Sequence, residues 1–359
     1  MSNFLVTDIK VIDSPQAGIG VARCLKTLGH KVYGIDDTPF VTNSDLFEAV
    51  FVIEEIRTLN LDNLVKKLIN IKNLYHIDYI IPCYDETSIL LSYIKDKLNY
   101  IGIQLIAPDI EVIKRLKKEN LVNTFSGINN KQLLIPETKV ISSIKEAENY
   151  AMQINYPLVV KGMTKGVKIV ENSTELSSAI KYICNIWNNG EIHCIIQKFI
   201  QGKSINVLLS YKDERIVSYL EMEKIALDSN GATWFGKLTS DKNIFNVIAD
   251  FCKYIKLNNS IIEIETILTE QGKYYVYEIN YRPPAWIYSP ALNGQNFLDI
   301  FLNPQKTVIF NNINAFFGRE SNDFVKPLED ISQYEDLQFY AKGAAYKNDN
   351  QKYPSEIMI

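Results

Sequence analysis

The chain has 359 residues, long enough for two or three domains of about 100–150 residues each. Its 47% hydrophobic and 22% charged residues are ordinary for a globular protein, and a net charge of −4 with no basic tract argues against nucleic acid as a partner. Five cysteines without paired spacing and only three histidines point away from a disulfide framework or a zinc site and toward reduced thiols in the cytoplasm. The N-terminus lacks the basic-then-apolar order of a signal peptide, and no apolar run reaches the ~18 residues of a membrane helix.

In chain order, Phe4–Asp13 reads as a strand, Gly18–Leu28 as a helix and Lys31–Asp36 as a strand. Leu61–Asn70 is helical, Asp78–Pro82 a strand, Glu86–Leu98 a helix and Gln104–Ala107 a strand. This alternation predicts an α/β unit, a parallel sheet flanked by helices. Asp109–Asn120 continues as a charged helix, and a boundary falls near Pro136. Thr138–Ile141, Pro157–Lys161 and Gly166–Glu171 read as strands, with helices at Lys145–Met152 and Thr174–Trp187. Strands at Ile192–Phe199, Ser204–Ser210 and Ile216–Glu223 follow, then a helix at Asp241–Tyr254. Ala285–Leu302 is mostly helical, and the tail from Asn303 reads as a small appendage.

Between them lies the most informative stretch. Ile261–Leu268 and Lys273–Arg282 alternate apolar and polar residues across the turn Thr269–Gly272, which predicts a hairpin. Glu263 and Glu265 share one face of the first strand, and Glu278, Asn280 and Arg282 share one face of the second. Carboxylates on a core sheet are costly without a positive partner, and a hard divalent cation with oxygen ligands is the simplest one. A lone E-x-E also reads as a solvated acidic hairpin; the E-x-N-x-R ending favours the metal site.

Other segments stay open on their own residues. Ser14–Gly20 follows the first strand and opens a helix, a place for anion binding by backbone amides. Arg23 stands where a dinucleotide fingerprint needs its third glycine, so a tight turn without ligand is the leading reading. A dinucleotide site with Asp36 or Asp37 on the ribose, or a substrate pocket, are the alternatives. Lys161 ends an apolar strand and either reaches water or meets a phosphate. Gln197 and the backbone of Lys198–Ile200 suit a purine edge or a plain edge strand. Lys224 opens a strand–turn–strand that either faces phosphates or is a plain hairpin turn.

Taken in order, strand-lysine, Gln197-Lys198-Phe199-Ile200-x-Gly202, and Glu278-Ile279-Asn280-x-Arg282 resemble the ATP-grasp superfamily, closest to the biotin-carboxylase-like and carbamoyl-phosphate-synthase-like carboxylate–amine ligases. The resemblance implies a pre-ATP-grasp domain over 1–107, an ATP-grasp domain over 108–302 with a lid at about 138–198 and an antiparallel-sheet core, and an appendage over 303–359. It implies ATP and Mg2+ (or Mn2+), with Glu265, Glu278 and Asn280 on the metal. Lys161 matches the second phosphate lysine, and Lys118, with Lys117 as the alternative, matches the first. Gln197, Lys198 and Ile200 match the adenine segment, Lys224 is placed toward the phosphates, and Arg282 matches the arginine at the acyl phosphate. Three positions depart from the pattern: the lid loop is shortened to Met163–Gly166, Ser204 stands at a ribose-acid position, and Tyr281 replaces a proline.

The implied activity is ADP-forming amide or peptide bond formation between a small-molecule or peptide carboxylate and an amine, catalysed through Arg282 and Lys161. No nucleic acid or membrane partner is expected, and a homodimer is left open. The substrates are expected between the Gly18–Gly20 turn and Arg282–Tyr288, with Trp286 and Tyr288 either an acceptor wall or core aromatics. A non-catalytic nucleotide- or peptide-binding module, and a carboxylase acting through carboxyphosphate, are the competing readings.

Overall fold

The computed structural model describes residues 1–304, 313–322 and 353–358, except 13, 16, 38–43, 54–55, 57–59, 129, 164–165, 188–189, 228–232, 240–241 and 243. The first sheet is parallel and runs Ala49–Val52, Lys31–Asp36, Asn3–Thr7, Tyr79–Ile81, Gln104–Leu105. Its central strand is apolar on both sides, as a sheet covered on both faces requires. Phe4 and Val6 pack with the helix Ala17–Lys26, while Leu5 packs with the helix Leu61–Tyr75. The strand Ala49–Val52 was not anticipated, being only four residues long. The expected helix over 86–98 is two helices, Asp85–Tyr93 and Lys95–Tyr100, joined at Ile94.

The charged helix expected to run to Asn120 stops earlier. Ile110–Leu116 is helical, Lys117 turns to an extended ψ of 142°, and a 3-10 turn over Lys118–Asn120 leads into the helix Leu121–Ser126. Carbonyls freed at such a break need donors. Asn120 Nδ2 donates to Lys114 O at 2.8 Å and Thr124 Oγ1 to Arg115 O at 2.7 Å. The break swings Lys118 out of the helix and toward the hairpin described below.

A second sheet, antiparallel, is ordered Val167–Val170, Leu158–Gly162, Cys194–Lys198, Thr138–Ile141. Leu158, Val160, Cys194 and Ile196 pack under the helices Ile144–Ile154 and Ser173–Trp187. Residues directly opposed across an antiparallel pair share a face, so Lys161, Gln197, Val159, Val167 and Ile169 lie together on the other side. That side is not covered by helices, which accounts for the exposure of Val167 and Ile169.

The third sheet has eight strands: Tyr353–Met358, Asn314–Asn322, Thr233–Thr239, Arg215–Leu227, Lys203–Lys212, Ser260–Leu268, Tyr274–Asn280, Leu133–Leu134. Its neighbours are antiparallel save the last pair. Two of its strands come from the tail expected to be an appendage, so that part of the tail extends the large sheet. One face, with Val207, Leu209, Ile262 and Ile264, packs on the helix Phe245–Tyr254 and the helices around Leu116 and Phe125. The other face is divided. Leu208, Leu220, Met222 and Ile261 join a core with the helix Ala17–Lys26 and the short helices Tyr288–Leu292 and Phe297–Leu302. Further along the same face stand Asn206, Glu263, Glu265, Glu278 and Asn280, paired as Asn206 to Glu265, Glu263 to Asn280 and Glu265 to Glu278. The longer helix expected over 285–302 is broken near Gly294, whose φ is +79°, and Asn296 caps the second piece by accepting from Leu298 N and Asp299 N.

Candidate active site

Alternation along the hairpin brings carboxylates and an amide to one face, and the sheet register sets them side by side. A bulge completes the arrangement. Leu268 faces Tyr274 and Thr266 faces Val276, yet Glu265 faces Glu278, so Tyr277 is the extra residue. A bulged residue is left out of the ladder and re-aimed. The Tyr277 hydroxyl donates to Glu265 Oε2 at 2.6 Å, and its carbonyl accepts from Lys161 Nζ at 3.2 Å.

Every carboxylate here has a cationic or amide partner. Glu265 Oε2 also accepts from Lys224 Nζ at 2.6 Å, and Oε1 accepts from Asn280 Nδ2 at 2.8 Å. Burial alone would raise the Glu265 pKa, but these donors, Lys224 foremost, hold it down at about 2. The same contact outweighs the burial of Lys224 and lifts that lysine above its ordinary range. Glu278 Oε1 lies 3.0 Å from Lys118 Nζ. Lys117 instead sits 4.0 Å from Glu119, so of the two neighbours it is Lys118 that reaches Glu278. Glu263 is buried and accepts from Asn206 Nδ2 at 2.6 Å, Trp286 Nε1 at 2.7 Å and Asn280 Nδ2 at 3.0 Å. Burial, then the neighbouring Glu265, raises its pKa.

Arg282 sits between two acids, with Nε 3.8 Å from Asp85 Oδ1 and Nη1 3.8 Å from Glu263 Oε2. Asp85 heads the helix Asp85–Tyr93 of the first sheet's layer; burial moves it up to about 6 against the pull of Arg282. Lys161 reaches across from the second sheet. It is 5% exposed, lies 4.7 Å over the Tyr277 ring, and burial together with Lys118 and Lys224 brings its pKa down to about 8. Four cations (Lys118, Lys161, Lys224, Arg282) thus meet four carboxylates (Asp85, Glu263, Glu265, Glu278) drawn from all three sheets' layers.

The simplest partner expected for these carboxylates was a metal ion; their partners within the chain are lysines, an arginine and amides. The donor set nevertheless fits a hard cation. Among the described residues no group of three or more His, Cys, Asp or Glu side chains forms a metal cage. Asn280, however, spends its N–H2 group on Glu263 and Glu265, and no described residue donates to its Oδ1. Glu278 has one oxygen on Lys118 and a second without a described donor. Two carboxylates and an amide oxygen are the oxygen ligands that Mg2+ takes alongside phosphates.

The remaining expected residues divide. Gln197 is buried on the Lys161 face, its Nε2 donating to Thr138 Oγ1 at 2.9 Å. Lys198 points to the opposite, helix-covered face and donates to Asn155 O at 2.9 Å, so only its backbone can serve the site. Its N–H is taken by Glu137 O at 2.8 Å. Ile200 lies just past the strand's end, and among the described residues no backbone acceptor takes its N–H. Ser204 Oγ stands 3.4 Å from the Tyr277 hydroxyl, inside the cluster. Of the shortened lid loop, 164 and 165 lie outside the described residues, as does the turn 228–232 after Lys224.

The substrate space expected beside Gly18–Gly20 is filled by packing. A Cβ on Gly20 would come within 3.1 Å of Ile287 and 3.4 Å of Ala285 O, and one on Gly18 within 2.6 Å of Asp8 O. These glycines let the helix Ala17–Lys26 close on its neighbours. Asp36, the candidate ribose acid, is buried and accepts from Ile9 N at 2.7 Å and Lys10 N at 2.9 Å. Trp286 is a core residue whose indole N–H serves Glu263, and Tyr288 lies under Arg23. Sequence reasoning missed Tyr277 and Asp85 altogether.

No protein-family model matches the sequence. Among solved structures the chain is similar to the biotin carboxylase domain of the 2-oxoglutarate carboxylase of Hydrogenobacter thermophilus, solved with MgADP, ADP and bicarbonate. The identity is 17% and the TM-score 0.68, over 90% of this chain and 75% of that one. It is also similar to the L-amino acid ligase of Bacillus licheniformis, at 15% identity and TM-score 0.64 over 93% and 85%. A third likeness is to the phosphoribosylglycinamide synthetase of Anaerococcus prevotii, at 15% identity and TM-score 0.57 over 91% and 82%. At these identities the likeness is one of fold: the chain has the ATP-grasp fold. Among the described residues no helix is long and apolar enough to cross a membrane.

Proposed function

We propose that the chain is an ATP-dependent ligase that activates a carboxylate as an acyl phosphate and couples it to an amine. The observation that carries this is one cluster in which Glu265, Glu278 and Asn280 present oxygens while Lys118, Lys161, Lys224 and Arg282 surround them. Oxygen ligands beside gathered cations suit a metal-bound polyphosphate, for which catalysis is largely positioning and charge stabilisation. Bound through Glu265, Glu278 and the Asn280 amide oxygen, Mg2+ (or Mn2+) supplies neutralising charge at the terminal phosphates.

Lys161 and Lys118 meet those phosphates from the lid side and the helix break. The lid, about 138–198, presents Lys161 and Gln197 with Val159 and Ile169 on its open face, an apolar and polar roof for adenine together with the Ile200 N–H. Arg282, held between Asp85 and Glu263, faces the transferring phosphoryl group. A substrate carboxylate oxygen bonds to the γ-phosphorus and ADP leaves with the electron pair of the broken P–O bond. The amine nitrogen then bonds to the acyl carbon, loses a proton, and phosphate departs with the former carboxylate oxygen. Lid closure keeps water from the acyl phosphate. In this reading 1–107 precedes the catalytic unit at 108–302, whose large sheet is extended by the strands Asn314–Asn322 and Tyr353–Met358. The five cysteines are buried and form no disulfide, which suits a reducing cytoplasm.

The test is ADP release from Mg-ATP with pools of amino acids, small dicarboxylates and short peptides as acids and amines, with bicarbonate run separately. The expected result is ADP formed only when an acid pool and an amine pool are combined. ADP with bicarbonate alone would replace the ligase by a carboxylase. Bound ATP without turnover in any pool would favour a binding module.

A further inference from the structure

Tyr277 stands out among the residues of the cluster because the backbone departs from regular pairing to bring it there. In an unbroken hairpin it would face away from Glu278; the bulge turns it onto the same polar face. All the partners of its side chain and carbonyl belong to the site. The hydroxyl donates to Glu265 Oε2 at 2.6 Å, accepts from Lys224 Nζ at 3.2 Å, and meets Ser204 Oγ at 3.4 Å. The ring carries Lys161 Nζ at 4.7 Å over its face and Lys224 Nζ at 5.9 Å. The carbonyl accepts from Lys161 Nζ at 3.2 Å.

These contacts sort the two oxygens of Glu265. Oε2 is committed to Tyr277 and Lys224, while Oε1, among the described residues, accepts only from Asn280. We propose that Tyr277 is a positioning residue that fixes Glu265 to offer Oε1 alone to the metal and aims Lys161 and Lys224 at the nucleotide phosphates. This rests on the nucleotide reading above. The hydroxyl and the ring serve different halves of that task. The hydroxyl orients the carboxylate, in the way that hydrogen bonds behind a ligand orient it and tune the metal. The ring and carbonyl hold Lys161, whose ammonium gains from the aromatic face when desolvated.

The halves separate in a binding experiment. ATP is titrated calorimetrically into wild type, Tyr277→Phe and Tyr277→Leu, once with EDTA and once with Mg2+, and melting temperatures are recorded. Tyr277→Phe keeps the ring and carbonyl, so its metal-free ATP affinity stays within about twofold of wild type, while the gain in affinity on adding Mg2+ shrinks about tenfold. Tyr277→Leu loses the Mg2+ gain as well, and its metal-free affinity falls about fivefold. Packing alone would lower the melting temperature and reduce both affinities in one ratio, and that outcome overturns the proposal. An undiminished Mg2+ gain in Tyr277→Phe overturns it too and leaves the nucleotide reading standing. A wild-type chain that binds no ATP removes both.

Discussion

Glu278→Gln is expected to abolish turnover while leaving the protein folded. The substitution keeps size and shape but removes the charge that faces Lys118 at 3.0 Å and the oxygen left for a metal. Losing a preorganised charge at a phosphoryl-transfer centre costs on the order of 10²–10³ in kcat. Both partners are about four-fifths buried, each 21% exposed, so some stability goes with the charge, yet Asp85 and Glu265 still act on Lys118. ADP release under saturating Mg-ATP, measured beside a thermal melt, checks both halves. Loss of the cooperative melt together with activity would make Glu278 a structural residue.

Nucleotide binding is expected to weaken as pH rises through about 8, because Lys161 meets phosphate only as the ammonium. Burial, reinforced by Lys118 and Lys224, brings its pKa from the ordinary 10.5 down to about 8. Below that value the ammonium is in place and affinity is flat. By pH 9 about one molecule in ten carries it, so ATP affinity falls roughly tenfold between pH 7 and pH 9. In Lys161→Met the affinity is lower throughout, by ~1.5–3 kcal/mol for a lost charge-assisted hydrogen bond, and is level over the same range. The sign for stability is opposite. Between pH 8 and 10.5 the unfolded chain holds this proton and the folded chain does not, so stability rises with pH there. The melting temperature of ligand-free wild type should therefore rise relative to that of Lys161→Met from pH 7 to pH 10. An ATP affinity of wild type that is level from pH 7 to pH 9 would place the phosphates elsewhere.

What could be read from the residues follows from what fixes register. The turn Thr269–Gly272 joins the two strands, so a hairpin with Glu263 and Glu265 on one face of its first strand and Glu278 and Asn280 on one face of its second was visible from alternation. Lys161 was visible as the polar end of an apolar strand. The bulge at Tyr277 was not, because one inserted residue leaves the alternation on either side intact. Asp85 belongs to a different sheet's layer, and nothing local marks it as a partner of Arg282. The glycines at 18 and 20 left alternatives beside the leading reading of a turn without ligand, because close approach of a helix to protein and close approach to an anion require the same absent Cβ. Lys117 and Lys118 could not be separated because a helix break, not the helix, aims the side chain. The strands Asn314–Asn322 and Tyr353–Met358 find their place only through pairing with Thr233–Thr239 and with each other.

The central claim is that a carboxylate oxygen bonds to the γ-phosphorus at this site. It is tested most directly by supplying the acid substrate with both carboxylate oxygens as ¹⁸O and weighing the released phosphate. One ¹⁸O in each phosphate, with ADP as co-product, is the predicted result. Unlabelled phosphate, or label appearing in AMP, would contradict it.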